Sequence, residues 1–252
     1  MKIQIDTSEP MCDAHVHFGT CSLSGLTLME KDVVQLVKRF NLCKLFLFPF
    51  DVDSYAANKA ILNLSRSVRQ IVPLIRISLA EKKSVKLLEE SLREGMAYGV
   101  KIHPSLDRTP ITASYYRPVF DIIDQYGKIA LIHCGRWKEV SSYKFAIQIA
   151  KEFSNSRIIL THMGGDELAC MKGAIQAARG LKNVYIETSN CRISEMIKHA
   201  VQELGESRIL FGSDTPWGNI PSNACMIQET EISAQAKNQI LSSNLIRLLE
   251  EL

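Results

Sequence analysis

Short hydrophobic runs recur along the whole chain and are separated by longer amphipathic segments. Two of these runs are Lys44–Phe48 and Arg157–Thr161, whose central residues are all apolar. Runs in which apolar and polar residues do not alternate are typical of strands buried on both faces, as in a parallel sheet. The pattern predicts eight strands, near residues 12–16, 43–48, 72–77, 98–102, 129–133, 157–161, 183–187 and 208–212.

The segments between these runs carry apolar residues at helical spacing. Before the second predicted strand, Thr27–Glu30 has the pattern of a capping box, and Val33, Val37 and Phe40 follow on one helical face. The same spacing at the end of the chain predicts a closing helix near 235–252. Strands therefore alternate with helices from one end of the sequence to the other.

Eight such alternations in 252 residues predict a (β/α)8 TIM barrel that forms one domain over residues 1–252. The alternative α/β fold is an open doubly wound sheet. Its usual mark, a G-x-G-x-x-G motif after the first strand, is absent from the sequence. The barrel is therefore the predicted fold class.

Composition and charge exclude several classes of function. The chain has a net charge of +3, and its basic residues form no stripe, so nucleic-acid binding is not expected. It contains no run of about 18 apolar residues that could span a membrane, and its first residues do not resemble a secretory signal. The seven cysteines include no C-x-x-C pair, which favours reduced thiols in a cytoplasmic protein.

The histidines occupy an informative set of positions. Five of the six lie at the carboxyl end of a predicted strand, and in a barrel all these ends open onto the face that carries the active site. One such histidine alone is more often a hydrogen-bonded structural residue, but five on one face indicate a shared site. They are His15, His17, His103, His133 and His162.

The spacing of His15 and His17 suits metal chelation, because residues i and i+2 of a strand point to the same side. Asp214 ends the eighth predicted strand and would add a carboxylate to this face. Alone, it could equally cap a turn. Together with His133 and His162, these side chains predict a nitrogen and oxygen site for zinc or a similar divalent ion.

The sequence resembles the amidohydrolase superfamily, and more narrowly the amidohydrolase-related family that includes 2-amino-3-carboxymuconate-6-semialdehyde decarboxylase. Each motif alone is weak, but the set follows the family order over most of the chain. The motifs are Asp13-x-His15-x-His17, Gly99-Val100-Lys101-Ile102-His103-Pro104, His133-Cys134-Gly135, His162-x-Gly164-Gly165 and Gly212-Ser213-Asp214-Thr215-Pro216.

The resemblance implies a role for each of these residues. His15, His17 and His133 would bind the metal, and Asp214 would complete the site and carry a proton during catalysis. His162 would be catalytic as well, by contacting the metal-bound water or the substrate carbonyl. The narrower family usually holds one ion, so one Zn²⁺ per chain is expected.

Four further residues are predicted to bind the substrate. Lys101 and His103 share one face of the fourth strand, and Arg136 and Trp217 follow the fifth and eighth strands. In binuclear members of the superfamily a carboxylated lysine on the fourth strand bridges two metals, so Lys101 could instead take that role. A charge-balancing lysine and a hydrogen-bonded histidine are the structural alternatives.

The predicted function is hydrolysis of an amide, lactone or related bond in a small molecule by a metal-activated water. The alternative is a metal-dependent, non-oxidative decarboxylase of a small carboxylic acid, because the family contains both activities. A barrel nuclease would place a glutamate on the fourth strand, where this chain has Lys101 and His103. A binding protein that has lost catalysis would not need the full ligand set. Family members often form homodimers, although no sequence feature here defines an interface.

Overall fold

The computed structural model describes residues 9–78, 83–135 and 137–252. Within these ranges, nine strands form one sheet in the order β2-β1-β3-β4-β5-β6-β7-β8-β9. All neighbouring strands are parallel except β1 and β2, which are antiparallel. The strands are β1 (Met11–Thr20), β2 (Thr27–Leu28), β3 (Leu42–Pro49), β4 (Ile71–Ile77), β5 (Gly99–Ile102), β6 (Ile129–Ile132), β7 (Arg157–Leu160), β8 (Val184–Glu187) and β9 (Ile209–Leu210).

The eight parallel strands coincide with the eight predicted runs, so the α/β alternation is confirmed. The sheet curls into a barrel-like arrangement whose strand ladder runs from β2 to β9. Residues just past β9 then return to β1. Ala14 N donates to Phe211 O at 2.8 Å, His17 N donates to Thr215 O at 2.9 Å, and Val16 forms an isolated parallel bridge with Thr215.

Helices connect the strands and cover the outer face of the sheet. They are α1 (Glu30–Arg39), α2 (Ser54–Ser65), α3 (Lys83–Arg93), α4 (Pro104–Asp107), α5 (Arg117–Gln125), α6 (Lys138–Ser141), α7 (Tyr143–Glu152), α8 (Leu168–Ala178), α9 (Ser194–Leu204), α10 (Ile220–Glu229), α11 (Ala234–Asn238) and α12 (Asn244–Glu250). No helix in the described part of the chain is both long enough and apolar enough to span a membrane.

The predicted capping box at Thr27 is wrong in its position. Thr27 pairs with Thr20 in the short antiparallel ladder, so its backbone belongs to a strand. Helix α1 begins two residues after that ladder, and Asp32 caps it by accepting a hydrogen bond from Met29 N at 2.9 Å. The tertiary pairing of β2 therefore displaces the cap by two residues.

The closing helix predicted near 235–252 is interrupted. A π-helical turn at Gln239–Ser243 separates α11 from α12. Leu245 and Leu248 of α12 are buried in the apolar cluster inside the curled sheet. Helix α12 thus covers the end of the sheet at which the strands begin and leaves the opposite end open.

Candidate active site

Polar side chains collect at the carboxyl ends of the strands. His15 and His17 come from β1, Lys101 from β5 and Glu187 from β8, while Asp214 lies just past β9. His133 follows β6 directly, and His162 lies two residues past the end of β7. Carboxyl ends of parallel strands meet at one face, which is why residues so distant in sequence become neighbours here.

A bulge in β1 aims the two histidines into the sheet interior. Asp13 pairs with Leu45 and Val16 pairs with Leu47, so β1 has one extra residue between these two pairs. Such a bulge shifts the alternation of side chains by one position. Ala14 therefore faces the interior before the bulge, and His15 and His17 face the same interior after it.

Three donor atoms converge at the centre of the site. Asp214 Oδ1 lies 3.1 Å from His15 Nε2 and 3.0 Å from His17 Nε2. Ligand atoms that lie about 2.1 Å from one ion are about 3.0 Å apart at the right angles of octahedral coordination and about 3.4 Å apart at tetrahedral angles. The three atoms therefore have the spacing and the chemistry of a divalent-metal site.

Neighbouring side chains hold these ligands in orientation. His15 Nδ1 donates to Glu187 Oε2 at 3.0 Å, and its Nε2 faces Asp214 Oδ1 at 3.1 Å. Asn190 Nδ2 donates to Asp214 Oδ2 at 2.6 Å. Metal-binding histidines are commonly oriented by a carboxylate on the second ring nitrogen, and this site has that arrangement.

His162 and His133 extend the cluster. His162 Nδ1 lies 2.8 Å from Ser189 Oγ, and its Nε2 lies 3.1 Å from His133 Nδ1. The His133 ring also stacks on the His103 ring, with centroids 3.7 Å apart. His133 lies outside the group formed by His15, His17 and Asp214, so its predicted role as a ligand stays a prediction.

Burial and charge set the protonation of the site. Burial lowers the pKa of His17 to about 3 and holds the pKa of His133 well below its usual value. Burial alone would raise the pKa of Asp214, but the adjacent His15 and the hydrogen bonds from both histidines hold it well below its ordinary value. Burial thus keeps His17 and His133 neutral, and a neutral imidazole and an ionised carboxylate are the forms that bind a metal cation.

Lys101 lies below the metal-binding atoms. Its side chain is 1% exposed, its Nζ lies 3.4 Å from His15 Nε2, and it rests 4.7 Å over the Phe48 ring. Burial lowers the pKa of Lys101 to about 7. The structure thus places Lys101 against a ligand, and its predicted contact with substrate stays a prediction.

A pocket of about 600 Å³ opens above the cluster, which is an ordinary size for a small-molecule site. His103 and Trp217, both predicted to bind substrate, line it together with His162. Trp217 is 48% exposed and stands at the rim. Arg136, the remaining predicted substrate contact, lies outside the described residues.

The sequence analysis missed Glu187, Ser189, Asn190 and Phe50. Glu187 ends the seventh predicted strand just as Asp214 follows the eighth, so the same rule of strand ends would have found it. Phe50 carried no polar signal, yet its ring stacks on His17 at 4.3 Å and lines the pocket. Ser189 and Asn190 follow β8 in a polar segment whose sequence is typical of a turn.

Comparison with known proteins gives a family and a fold. A model of the family described as amidohydrolase matches residues 55–250. No curated protein matches the sequence. The matched region starts after His15 and His17 and includes His133, His162 and Asp214.

Several solved structures share the fold. One is a 2,6-dihydroxybenzoate decarboxylase from Rhizobium, with a TM-score of 0.75 and 15% identity over 96% of this chain and 98% of that one. A dihydroxybenzoic acid decarboxylase from Polaromonas, with bound manganese and 2-nitroresorcinol, has a TM-score of 0.74 and 14% identity over 96% and 97%. A 5-carboxyvanillate decarboxylase from Sphingomonas paucimobilis has a TM-score of 0.74 and 13% identity over 96% and 99%.

These neighbours contradict the predicted hydrolase. They are decarboxylases, which favours the alternative that the sequence analysis kept open. The error has a physical cause. Both reactions use the same kind of metal ligands at the same strand ends, so the motifs that identified the site do not distinguish hydrolysis from decarboxylation.

Proposed function

The chain belongs to the amidohydrolase family, and we propose that it is a metal-dependent decarboxylase that removes CO₂ from a small carboxylic acid without oxidation. The observation that carries the proposal is the convergence of His15, His17 and Asp214 on one point below a pocket of about 600 Å³. The decarboxylases that share this fold support the choice of reaction.

The proposed cofactor is one divalent ion per chain, held by His15, His17 and Asp214 with His133 as a further ligand. His133 Nε2 is buried, and no hydrogen-bond partner for it lies among the described residues, so its lone pair is available. The nitrogen and oxygen donors suit zinc, and the Polaromonas decarboxylase contains manganese. Elemental analysis of gently purified protein tests both the identity and the number of ions.

The bound ion would orient the acid and withdraw electron density from its oxygen atoms. The residues of the chain supply the remaining chemistry. When CO₂ leaves, its bonding electron pair stays on carbon, and a proton must take the place of the carboxylate. Asp214 is the proposed proton carrier: its ionised carboxylate lines the pocket, is held by Asn190 at Oδ2, and can take the proton of the substrate's acid group and return it to that carbon.

The pocket walls favour an acid with a flat apolar body. Phe50, Trp137 and Trp217 contribute aromatic surface, and Arg192 adds a positive charge at the same mouth. An arginine can hold a carboxylate through paired hydrogen bonds. We therefore infer that the substrate is a small aromatic acid, with Trp217 and His103 along its sides.

The proposal also includes the closure of the barrel, the cellular location and the oligomeric state. We propose a (β/α)8 barrel in one domain, in which the hydrogen bonds of Ala14 and His17 to residues past β9 complete the ring. The cytoplasmic location and the homodimer stay predictions.

Release of CO₂ from a panel of carboxylic acids tests the function. The metal-loaded protein is incubated with hydroxylated benzoic acids, with other aromatic acids and with aliphatic acids, and CO₂ is measured directly. The matched control is the Asp214→Asn variant, loaded in the same way. We expect turnover of at least one aromatic acid by the parent protein and none by the variant.

The opposite pattern would overturn the proposal. If the metal-loaded protein released no CO₂ from any acid but cleaved a lactone or an amide in an Asp214-dependent manner, the enzyme would be a hydrolase. The proposal would also be wrong if CO₂ release survived complete removal of the metal.

A further inference from the structure

We propose that Glu187 is a positioning residue that sets the ring tautomers of three histidines, His15, His133 and His162, so that metal-binding lone pairs face the centre of the site. This inference rests on the proposed metal-dependent function and extends it to a residue that no motif identified. Glu187 is fully buried at the end of β8, and its carboxylate reaches both sides of the cluster.

The first set of contacts is the direct hydrogen bond between Glu187 and His15. A carboxylate that is ionised can only accept hydrogen bonds, so the 3.0 Å contact between Glu187 Oε2 and His15 Nδ1 places a proton on Nδ1. His15 Nε2 is then the ring nitrogen that can bind the ion. That nitrogen is the atom that lies 3.1 Å from Asp214 Oδ1.

The second set of contacts leads from Glu187 through Ser189 to His162. Its hydroxyl donates to Glu187 Oε2 at 2.8 Å, so Ser189 Oγ is left to accept from His162 Nδ1, also at 2.8 Å. The backbone carbonyl of Ser189, 3.4 Å from the same nitrogen, can only accept and supports the same assignment. The proton of neutral His162 therefore lies on Nδ1.

This assignment determines the state of His133. With its proton on Nδ1, His162 offers a lone pair at Nε2, and the 3.1 Å contact makes His133 Nδ1 the donor. His133 Nε2 is then left with its own lone pair, and that buried atom has no partner among the described residues. His162 thus supports a ligand through its contact with His133.

The surroundings of Glu187 are built for a carboxylate. Ser189 N donates to Oε1, and His162 N donates to Oε2 at 3.3 Å. A Cβ atom at position 212 would overlap Glu187 Oε1, so Gly212 of the Gly212-Ser213-Asp214 motif provides the space that the carboxylate fills. The hydrogen bonds donated by Ser189 N, Ser189 Oγ and His162 N favour the ionised carboxylate, which can accept all three.

Nitrogen NMR of protein labelled with ¹⁵N-histidine tests the assignment, since protonated and lone-pair ring nitrogens resonate in separate ranges. We expect Nδ1 of His15, His133 and His162 to be protonated in the metal-free parent protein. Glu187→Gln, whose amide can donate as well as accept, should change the Nδ1 protonation of all three. Ser189→Ala should disturb His162 and His133 more than His15, whose Nδ1 keeps its contact with Glu187.

Metal affinity, measured by competition with a chelator, is the second readout. We expect Glu187→Gln to weaken zinc binding about 10- to 100-fold and Glu187→Asp to restore part of the loss. The control is Asp107→Asn. Asp107 is also a buried carboxylate, but it pairs with Arg76 at 3.1 Å and Tyr116 at 2.7 Å, so its loss should leave zinc affinity and the histidine tautomers unchanged.

The proposal is wrong if Glu187→Gln keeps both the parent tautomers and the parent affinity, or if Asp107→Asn weakens zinc binding as much. If Glu187→Gln fails to fold, Ser189→Ala provides the test. Unchanged resonances of His162 and His133 in that variant would show that Glu187 does not act on them through Ser189. Neither readout uses turnover. A protein with the predicted tautomers that released no CO₂ would therefore contradict the proposed reaction and leave the role of Glu187 intact.

Discussion

The two ends of the curled sheet are built from the same inward-facing rows of residues, yet they differ completely in chemistry. One row on β6 begins with Ile129 and Leu131 in the apolar interior and ends with His133 in the site. The row on β8 runs from Tyr185 to Glu187. A single row thus supplies packing where the strands begin and ligands where they end.

The two ends of the sheet interior therefore have different roles: one stabilises the fold and the other carries the chemistry. Where the strands begin, Leu245 and Leu248 exclude water from the apolar cluster. At the carboxyl ends, buried carboxylates and imidazoles satisfy one another through hydrogen bonds and would otherwise be costly to bury. Substitutions at the two ends should therefore affect different measurements.

The largest expected effect is at the carboxyl end. Asp214→Asn removes the carboxylate charge and the proposed proton carrier with little change in size. We expect turnover to fall about 10²- to 10⁴-fold or more, while the thermal unfolding midpoint of the metal-free protein changes little. CO₂ release and circular dichroism measure the two quantities. Full turnover by this variant would contradict the role given to Asp214.

The corresponding change at the other end is Leu248→Ala. Leu248 is fully buried in the apolar cluster, so its truncation leaves a cavity and should cost about 2–5 kcal/mol of unfolding free energy. Urea denaturation measures the loss. Zinc affinity of the folded variant should match the parent, and a large fall in affinity would show that the two ends are coupled.

Metal binding should stabilise the folded protein only where the ligands at the carboxyl end are intact. An ion that binds only the folded state stabilises it by about 2.7 kcal/mol when its free concentration is 100 times its Kd. We expect zinc to raise the melting temperature of the parent and of Leu248→Ala, and a chelator to reverse the rise. Asp214→Asn should show a much smaller increase. Equal stabilisation of all three proteins would place the ion elsewhere.

The smallest effect concerns a thiol pair far from the site. Cys12 and Cys43 lie where β1 and β3 begin, with sulfur atoms 2.7 Å apart. The hydrogen bond from Cys12 lowers the pKa of the Cys43 thiol to about 6, whereas the ordinary value is 9.0. Since the thiolate is the reactive form, alkylation of Cys43 should rise through pH 6 and level off above it.

Mass spectrometry of iodoacetamide-treated protein follows that reaction for each cysteine. In Cys12→Ala, which removes the donor, the profile of Cys43 should move towards the ordinary pH range, while turnover is unchanged. A Cys43 that reacts only above pH 8 in the parent protein would contradict the prediction.

The order of strands and helices could be predicted from the sequence, because a strand that is buried on both faces is apolar along its whole length. Hydrophobic periodicity located all eight parallel strands, and the places of His15, His17 and Asp214 at strand ends assigned them to one face. Those predictions depended only on strand periodicity and on the common direction of parallel strands. The choice between hydrolysis and decarboxylation depended on the pocket, and there the sequence prediction was wrong.

Local sequence patterns were enough to predict the alternation of strands and helices, the face that carries chemistry and the kinds of ligand atom available there. Only the folded chain shows the bulge that turns His15 and His17 inward, the contact of Glu187 with His15 across 172 positions, and the space that Gly212 leaves for that carboxylate. The reason is physical. Periodicity is a local property of the chain, whereas register and hydrogen-bond partners are set only when distant strands meet.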